Sequence, residues 1–212
     1  MSLRAALERV LPDLGLSPDA AATERLGIHE RLLHEWNPIA ALVSAGDAHG
    51  EALHRHYLDA VRALPYLLDA HRVVDVGSGG GFPGLIWAAL RPDLEVMAIE
   101  SSRRKAAFLL QAIHEMELPR AAVRAVRVER PEDLVAGHAD LLTTRATGHA
   151  KLLFAAARLL PPPVRVVLFP SAEAAAGLHS RPPAGFQPAG STALDRGGEI
   201  LVLDRIVPRG TS

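Results

Sequence analysis

The sequence predicts an α/β fold: a mostly parallel sheet with helices on both faces, entered through a segment that is helical alone. Three observations predict it. From residue 72 onward, short β-branched runs alternate with longer stretches of helical apolar spacing, the pattern of strands joined by crossover helices. The glycine cluster Gly77-Ser78-Gly79-Gly80-Gly81 lies between the first such run and the helical pattern after it. Residues 1–70 carry helical spacing only. The predicted division is a helical extension over 1–70 and a sheet-based domain over 71–212.

In the extension, Ala6, Leu7, Val10 and Leu11 recur at helical spacing until Pro12-Asp13-Leu14-Gly15 breaks it. Ser17 and Pro18 predict the next helix start, as N-cap and first helical residue. Leu26, Ile28, Leu32, Leu33 and Trp36 give that helix an inward face, and Asn37-Pro38 predicts its end. A third helix follows Gly50, with Leu53, Tyr57, Leu58, Val61 and Leu64 as its apolar stripe. In the domain, strands are predicted at 72–76, 94–99, 122–128, 139–144 and 164–169, and helices at 83–90, 102–116 and 149–160. Right-handed crossovers make those strands parallel. Ile200-Leu201-Val202-Leu203 predicts a late strand, and a weaker one starts near Phe186. A short link between these two implies an antiparallel pair at the sheet edge. The Pro-, Ala- and Gly-rich segment 180–192 otherwise reads as loop.

Composition supports one full core: 49% of the 212 residues are hydrophobic and 22% charged, which excludes global disorder. Aromatics are only 4%, too few for an extended base-stacking platform. The absence of cysteine removes disulfides, thiolate metal sites and cysteine nucleophiles together. No apolar run approaches the roughly 18 residues that span a bilayer, and the amphipathic start lacks a signal peptide's apolar segment. The expectation is a cytoplasmic protein without a membrane or metal partner. A net charge of −1 advertises no nucleic-acid partner by itself, although a local basic face can serve a near-neutral protein.

Val73, Val74 and Val76 form a strand that ends beside Asp75, the glycines form a loop, and Pro83 suits the first turn of a helix. Three readings of this loop compete. Gly79-Gly80-Gly81-Phe82-Pro83-Gly84 formally matches G-x-G-x-x-G, the dinucleotide fingerprint of a nicotinamide-dependent oxidoreductase. Yet a carboxylate at the strand end would repel a pyrophosphate. It would accept hydrogen bonds from a ligand ammonium and from the loop amides. S-adenosylmethionine carries an amino acid and a sulfonium and no phosphate, so Asp75-x-Gly77-x-Gly79 suits it better, with Glu100 placed for its ribose hydroxyls. A purely structural turn is the third reading, though five glycines between 77 and 84 are costly in chain entropy for a turn alone.

Val74-Asp75-Val76-Gly77-Ser78-Gly79-Gly80-Gly81-Phe82-Pro83-Gly84 resembles the signature of the RsmG family, also called glucose-inhibited division protein B. Trp36-Asn37, Arg55-His56-Tyr57-Leu58-Asp59, Arg91-Pro92-Asp93, Glu100-Ser101, Arg104-Lys105, Phe108-Leu109, Val128-Glu129 and Thr144-Arg145-Ala146 match further along, over about 30–170. The resemblance implies a Rossmann-like class I methyltransferase with a seven-stranded, mostly parallel sheet. It also implies transfer of methyl from S-adenosylmethionine to N7 of a guanine in 16S ribosomal RNA, free or in an assembling small subunit. By position it places Gly77, Phe82, Val128, Glu129 and Arg145 against the cofactor, with Glu100 in addition and Asp75 and Gly79 in the same loop. His56 approaches the substrate side. A monomer is expected.

N7 offers an in-plane lone pair, so the transfer requires no general base and depends on positioning. That agrees with the lack of an Asn-Pro-Pro-Tyr tetrad at residues 139–146. Arg103-Arg104-Lys105 is the densest basic cluster, a candidate contact for RNA phosphates at the start of a helix. Its competing reading is a solvated face. The chain also departs from the family. Ala41-Leu42-Val43 stands where members read Asn-Leu-Thr, Leu168-Phe169-Pro170 where they read Leu-Lys-Gly, and Ala60 follows Asp59 where they carry serine. These departures spare the cofactor residues and thin the RNA-facing side, which leaves open a cofactor-binding relative with an altered or lost RNA substrate.

Overall fold

A computed structural model of the chain describes residues 1–17, 19–67, 69–134, 138–145, 147–195 and 197–206. The helical segment holds α1 (Leu3–Val10), α2 (Ala20–Ala40) and α3 (Gly50–Arg62), with single 3₁₀ turns between them. The remainder alternates as expected: β1 (Arg72–Val76), α4 (Gly84–Leu90), β2 (Glu95–Ile99), α5 (Arg103–Glu115), β3 (Ala121–Arg124), β4 (Leu141–Thr144), α6 (Ala150–Leu159), β5 (Arg165–Leu168), α7 (Ala172–Ser180), β6 (Phe186–Ala193) and β7 (Glu199–Arg205). One seven-stranded sheet has the order β3-β2-β1-β4-β5-β7-β6. Neighbours from β3 to β5 are parallel, and β7 runs antiparallel to both β5 and β6. Among the described residues no helix is long and apolar enough to cross a membrane.

The two-residue period of the strands divides the core. Val73, Val96, Leu141, Val167 and Val202 face one way, in a cluster shared with α1 to α5. Val74, Ile99, Leu142, Val166 and Leu201 face the other way, against Leu153, Phe154, Ala156 and Ala157 of α6. The core of the first face therefore runs continuously from Leu3 to Val202.

Four local expectations need correction. α2 does not stop at Asn37-Pro38 but continues to Ala40. Pro38 lies in the last turn, where its missing N–H forfeits one bond, while the Asn37 carbonyl still accepts Ala41 N at 2.9 Å. The helix ends where Ala41 turns left-handed (φ +49°) and Asn37 Oδ1 accepts Val43 N at 2.9 Å. Its N-cap is Asp19, whose carboxylate accepts Ala22 N, rather than Ser17; Pro18 lies outside the described residues. β3 ends at Arg124 instead of reaching 128, because its one neighbour among the described residues, β2, ends opposite it at Ile99. The weaker strand expected near Phe186 is present and antiparallel to β7 as expected, but it takes most of the segment 180–192 otherwise read as loop: β6 runs from Phe186 to Ala193, with an irregularity between Pro188 and Gly190 that accommodates the proline at the edge. α7, capped by Ser171 Oγ on Ala174 N at 3.4 Å, was not anticipated.

Candidate functional site

The chain leaves β1 for β2 on one side and later returns to β4 on the other. The carboxyl ends of β1 and β4 therefore flank the point where strand order reverses, which is where doubly wound sheets bind ligands. Residues 77–83 connect β1 to α4 at this point. Ile99 at the end of β2 accepts hydrogen bonds from Gly77 N at 2.8 Å and Ser78 N at 3.2 Å, tying the loop to the sheet. Glu100 fixes it further: Oε2 accepts Gly79 N at 3.0 Å and Oε1 accepts Ser102 N at 2.8 Å. Glu100 is 7% exposed, and its remaining lone pairs keep it able to accept from a ligand hydroxyl.

Asp75 lies beneath the loop with no exposure. Its Oδ2 accepts Gly84 N, the first amide of α4, at 3.1 Å, and Oδ1 has no hydrogen-bond partner. Burial pushes its pKa up to about 7, against the opposing pull of the Ser78 hydroxyl, the Gly84 amide and the Arg145 charge. Residue 84 must be glycine here, since a Cβ would fall 2.7 Å from Asp75 Oδ2. Leu42, in the segment where the family has Asn-Leu-Thr, packs beside the loop at Gly80.

Two of the cavities on this edge hold the expected site residues. The first, about 300 Å³, is bounded by Gly77, Ile99, Val126, Val128 and Glu129. Its wall exists because residues 125–129 leave the sheet after β3, so Val128 and Glu129 turn towards the glycine loop. The second, about 290 Å³, is bounded by Arg55, His56, Asp59, Arg145 and Phe169. Arg145 Nη2 pairs with Asp59 Oδ2 at 2.9 Å, Nη1 donates to the His56 carbonyl at 3.2 Å, and the guanidinium lies 5.2 Å from the Phe169 ring centroid. The His56 ring lies against Phe82 with centroids 5.3 Å apart and planes tilted by 32°, and its Nε2 lies 4.0 Å from Asp47 Oδ2. Burial raises the Asp59 pKa, with Arg145 opposing.

Gly77, Val128 and Glu129 thus meet at one cavity, and Asp75, Gly79, Phe82 and Glu100 build the loop beside it. Arg145 lies across the loop, in the second cavity with His56. Ala146, the last member of that motif, lies outside the described residues. Arg103, Arg104 and Lys105 occupy the first turn of α5 behind the Ser102 cap, line neither cavity and form no ion pair with a described residue. Among the described residues no group of three or more His, Asp or Glu side chains is placed to hold a metal. Sequence reasoning assigned no role to His29, Asp59 or Phe169. Asp59 carried a prior signal as the end of the Arg55–Asp59 motif, and Phe169 as part of the departure Leu168-Phe169-Pro170.

Residues 22–176 match the family described as rRNA small subunit methyltransferase G, or GidB. Ribosomal RNA small subunit methyltransferase G of Halorhodospira halophila is 39% identical over 157 residues, covering 74% of this chain and 73% of that protein. The protein of that name from Neisseria meningitidis serogroup C is 38% identical over 133 residues, 63% of this chain and 62% of the relative's own length. Among solved structures, the O-methyltransferase TomG of Streptomyces achromogenes superposes with a TM-score of 0.56 at 18% identity, covering 98% of this chain and 99% of TomG. At that identity the likeness is one of fold, the Rossmann-like methyltransferase sheet. Motif, matched length and relatives agree: this chain belongs to the rRNA small subunit methyltransferase G family.

Proposed function

We propose that this chain is an S-adenosylmethionine-dependent methyltransferase that modifies N7 of a guanine in 16S ribosomal RNA, acting in the cytoplasm as a monomer. The observation that carries the cofactor assignment is the buried Asp75 with an unpaired Oδ1, set under a glycine loop that borders the Gly77–Val128–Glu129 cavity. A buried acceptor without a partner is expensive unless a donor reaches it, and the ligand ammonium is such a donor. The apolar walls Ile99, Val126 and Val128 suit a flat adenine ring, and Glu100 suits ribose hydroxyls. The nicotinamide reading is disfavoured because the Asp75 carboxylate already occupies Gly84 N, an amide that a pyrophosphate would require.

The cofactor, when bound, supplies an electrophilic methyl group on a sulfonium. The protein's part is positioning. The glycine loop and Glu129 hold one partner, and the cleft of Arg55, His56, Asp59 and Arg145 receives the other from the opposite side of the loop. Asp59 keeps the Arg145 guanidinium oriented, and Phe169 covers its face. N7 is methylated through its own lone pair, so no side chain needs to take a proton during the transfer. Arg103, Arg104 and Lys105 are proposed contacts for rRNA phosphates. Residues 1–70 are proposed to act as a helical extension to the domain 71–212. Two experiments test the reading. Calorimetry should show S-adenosylmethionine binding and no binding of NAD. N7-methylguanine in small-subunit rRNA should disappear from a deletion strain, and its persistence would transfer the cofactor site to another substrate.

A further inference from the structure

The glycine loop is held from the helical segment by a buried polar chain. His29 of α2 is fully buried, with Nε2 3.0 Å from the Gly80 carbonyl oxygen and Nδ1 2.7 Å from the Tyr57 hydroxyl of α3. The rings of Tyr57, Phe82 and Phe108 meet the imidazole edge-on, with centroids 5.5, 5.4 and 5.7 Å away. Burial lowers the His29 pKa to about 4, so the ring is neutral and carries one N–H. The Gly80 carbonyl can only accept, which places that proton on Nε2 and makes Nδ1 the acceptor of the Tyr57 O–H. The opposite tautomer would set the Nε2 lone pair against the carbonyl. The order is therefore single-valued: Tyr57 donates to His29, and His29 donates to Gly80.

This chain sets the orientation of the Gly80 peptide. The peptide leads directly into Gly81, whose N–H closes the loop on the Ser78 carbonyl at 2.7 Å. Gly81 adopts φ +83°, and a Cβ there would fall 2.9 Å from His29 Nε2, so imidazole and loop fit only while residue 81 is glycine. Phe82, which follows, touches both Tyr57 (centroids 5.0 Å apart) and His56.

We propose that His29 is a positioning residue for the cofactor. Together with Tyr57 it fixes the Gly80 carbonyl, so the helical segment sets cofactor affinity without touching the cofactor. This rests on the assignment of the glycine loop to S-adenosylmethionine.

The test compares wild type with Tyr57→Phe, His29→Leu and His29→Gln in the full chain. Tyr57→Phe keeps the ring and removes only the donor. The Gln side chain offers an NH₂ donor group and a carbonyl acceptor at its two ends and so can replace both bonds of the neutral imidazole. The S-adenosylmethionine Kd should rise about tenfold in Tyr57→Phe and more in His29→Leu, and His29→Gln should recover most of the loss. kcat at saturating cofactor should stay within about twofold of wild type, which a misplaced substrate cleft would not allow. Amide exchange of the cofactor-free protein should quicken over residues 77–84 and stay unchanged in β2 and β5. Unchanged Kd and loop exchange would overturn the proposal. So would a uniform rise in exchange across the sheet, or a Gln variant no better than Leu, since either makes the pair an ordinary core contact. If wild type itself binds no S-adenosylmethionine, the functional reading fails, while loop exchange still judges the strut.

Discussion

The Asp75 carboxyl has no exposure and its Oδ1 has no hydrogen-bond partner, so its ionised form is costly. Its pKa is raised to about 7 from an ordinary value near 3.8. Between those values the folded state holds a proton that the unfolded state has released. Its contribution to stability is therefore full below about pH 4 and fades as pH rises towards 7, by roughly 4 kcal/mol at most. Asp75→Asn should flatten the difference in urea-unfolding free energy across that window, and an unaltered slope would place the titration on another group. If the ammonium of S-adenosylmethionine docks on Asp75 it favours the ionised form, so wild-type affinity should be about fivefold higher near pH 7 than near pH 6, as read by calorimetry. Gly84→Ala puts a Cβ 2.7 Å from Asp75 Oδ2. It should cost about 1–3 kcal/mol and be partly relieved in the Asp75→Ala, Gly84→Ala double variant, since the clash needs both partners. Asp75, the glycines and Glu100 were legible because their spacing is local. His29 was not, because it sits on a helix among Leu26, Leu32 and Leu33 like any core residue. Its partners lie 28 and 51 residues away.

Elements with a strong pattern were predictable, and those shaped by their neighbours were not. β1, β2, β4 and β5 each carry an apolar run and appear where expected. β3 loses its last residues because a ladder cannot outlast its partner, and that early exit gives the cavity beside Gly77 its Val128 and Glu129 wall. β6 was expected to start near Phe186, but its extent was not legible, since only Phe186 is fully buried and the rest takes its form from pairing with β7, a tertiary property. α7 buries only Ala175, so no apolar stripe announced it. α5 carries the test at this scale. Its first turn places Arg103 and Arg104 in solvent with Lys105 half-buried, against the helix dipole and without an ion pair to a described residue. If these residues meet RNA phosphates, replacing all three with Gln should lower the salt slope of binding to a small-subunit rRNA fragment by about 2. S-adenosylmethionine affinity should not change, because the three line neither cavity. An unchanged slope would return them to the solvated surface.

At the scale of the molecule, the helical segment is tied to the sheet domain at several points. The cluster on the first face of the sheet joins Leu7, Leu26, Leu33, Leu53 and Val61 to Val73, Val96, Leu141 and Val202 without a seam. Trp87 of α4 is fully buried and donates its indole N–H to the Ala60 carbonyl of α3 at 2.8 Å. Arg165 of β5 donates to the Tyr66 carbonyl at 2.8 Å, and Tyr66 OH lies 2.7 Å from Thr192 Oγ1 of β6. The period switch near residue 72 marked where strands begin, and periodicity alone carries no information about which helices share a core with them. Residues 71–212 expressed alone would lose the α1–α3 side of that core. They would also leave the Trp87 indole without its acceptor and the Gly80 carbonyl without His29. The truncated chain should keep helical circular dichroism, lose a cooperative thermal transition and bind a hydrophobic dye, the behaviour of a collapsed state without fixed packing. A sharp transition in the truncated chain would show that the sheet domain folds by itself, and would reduce the helical segment to a cover over the loop.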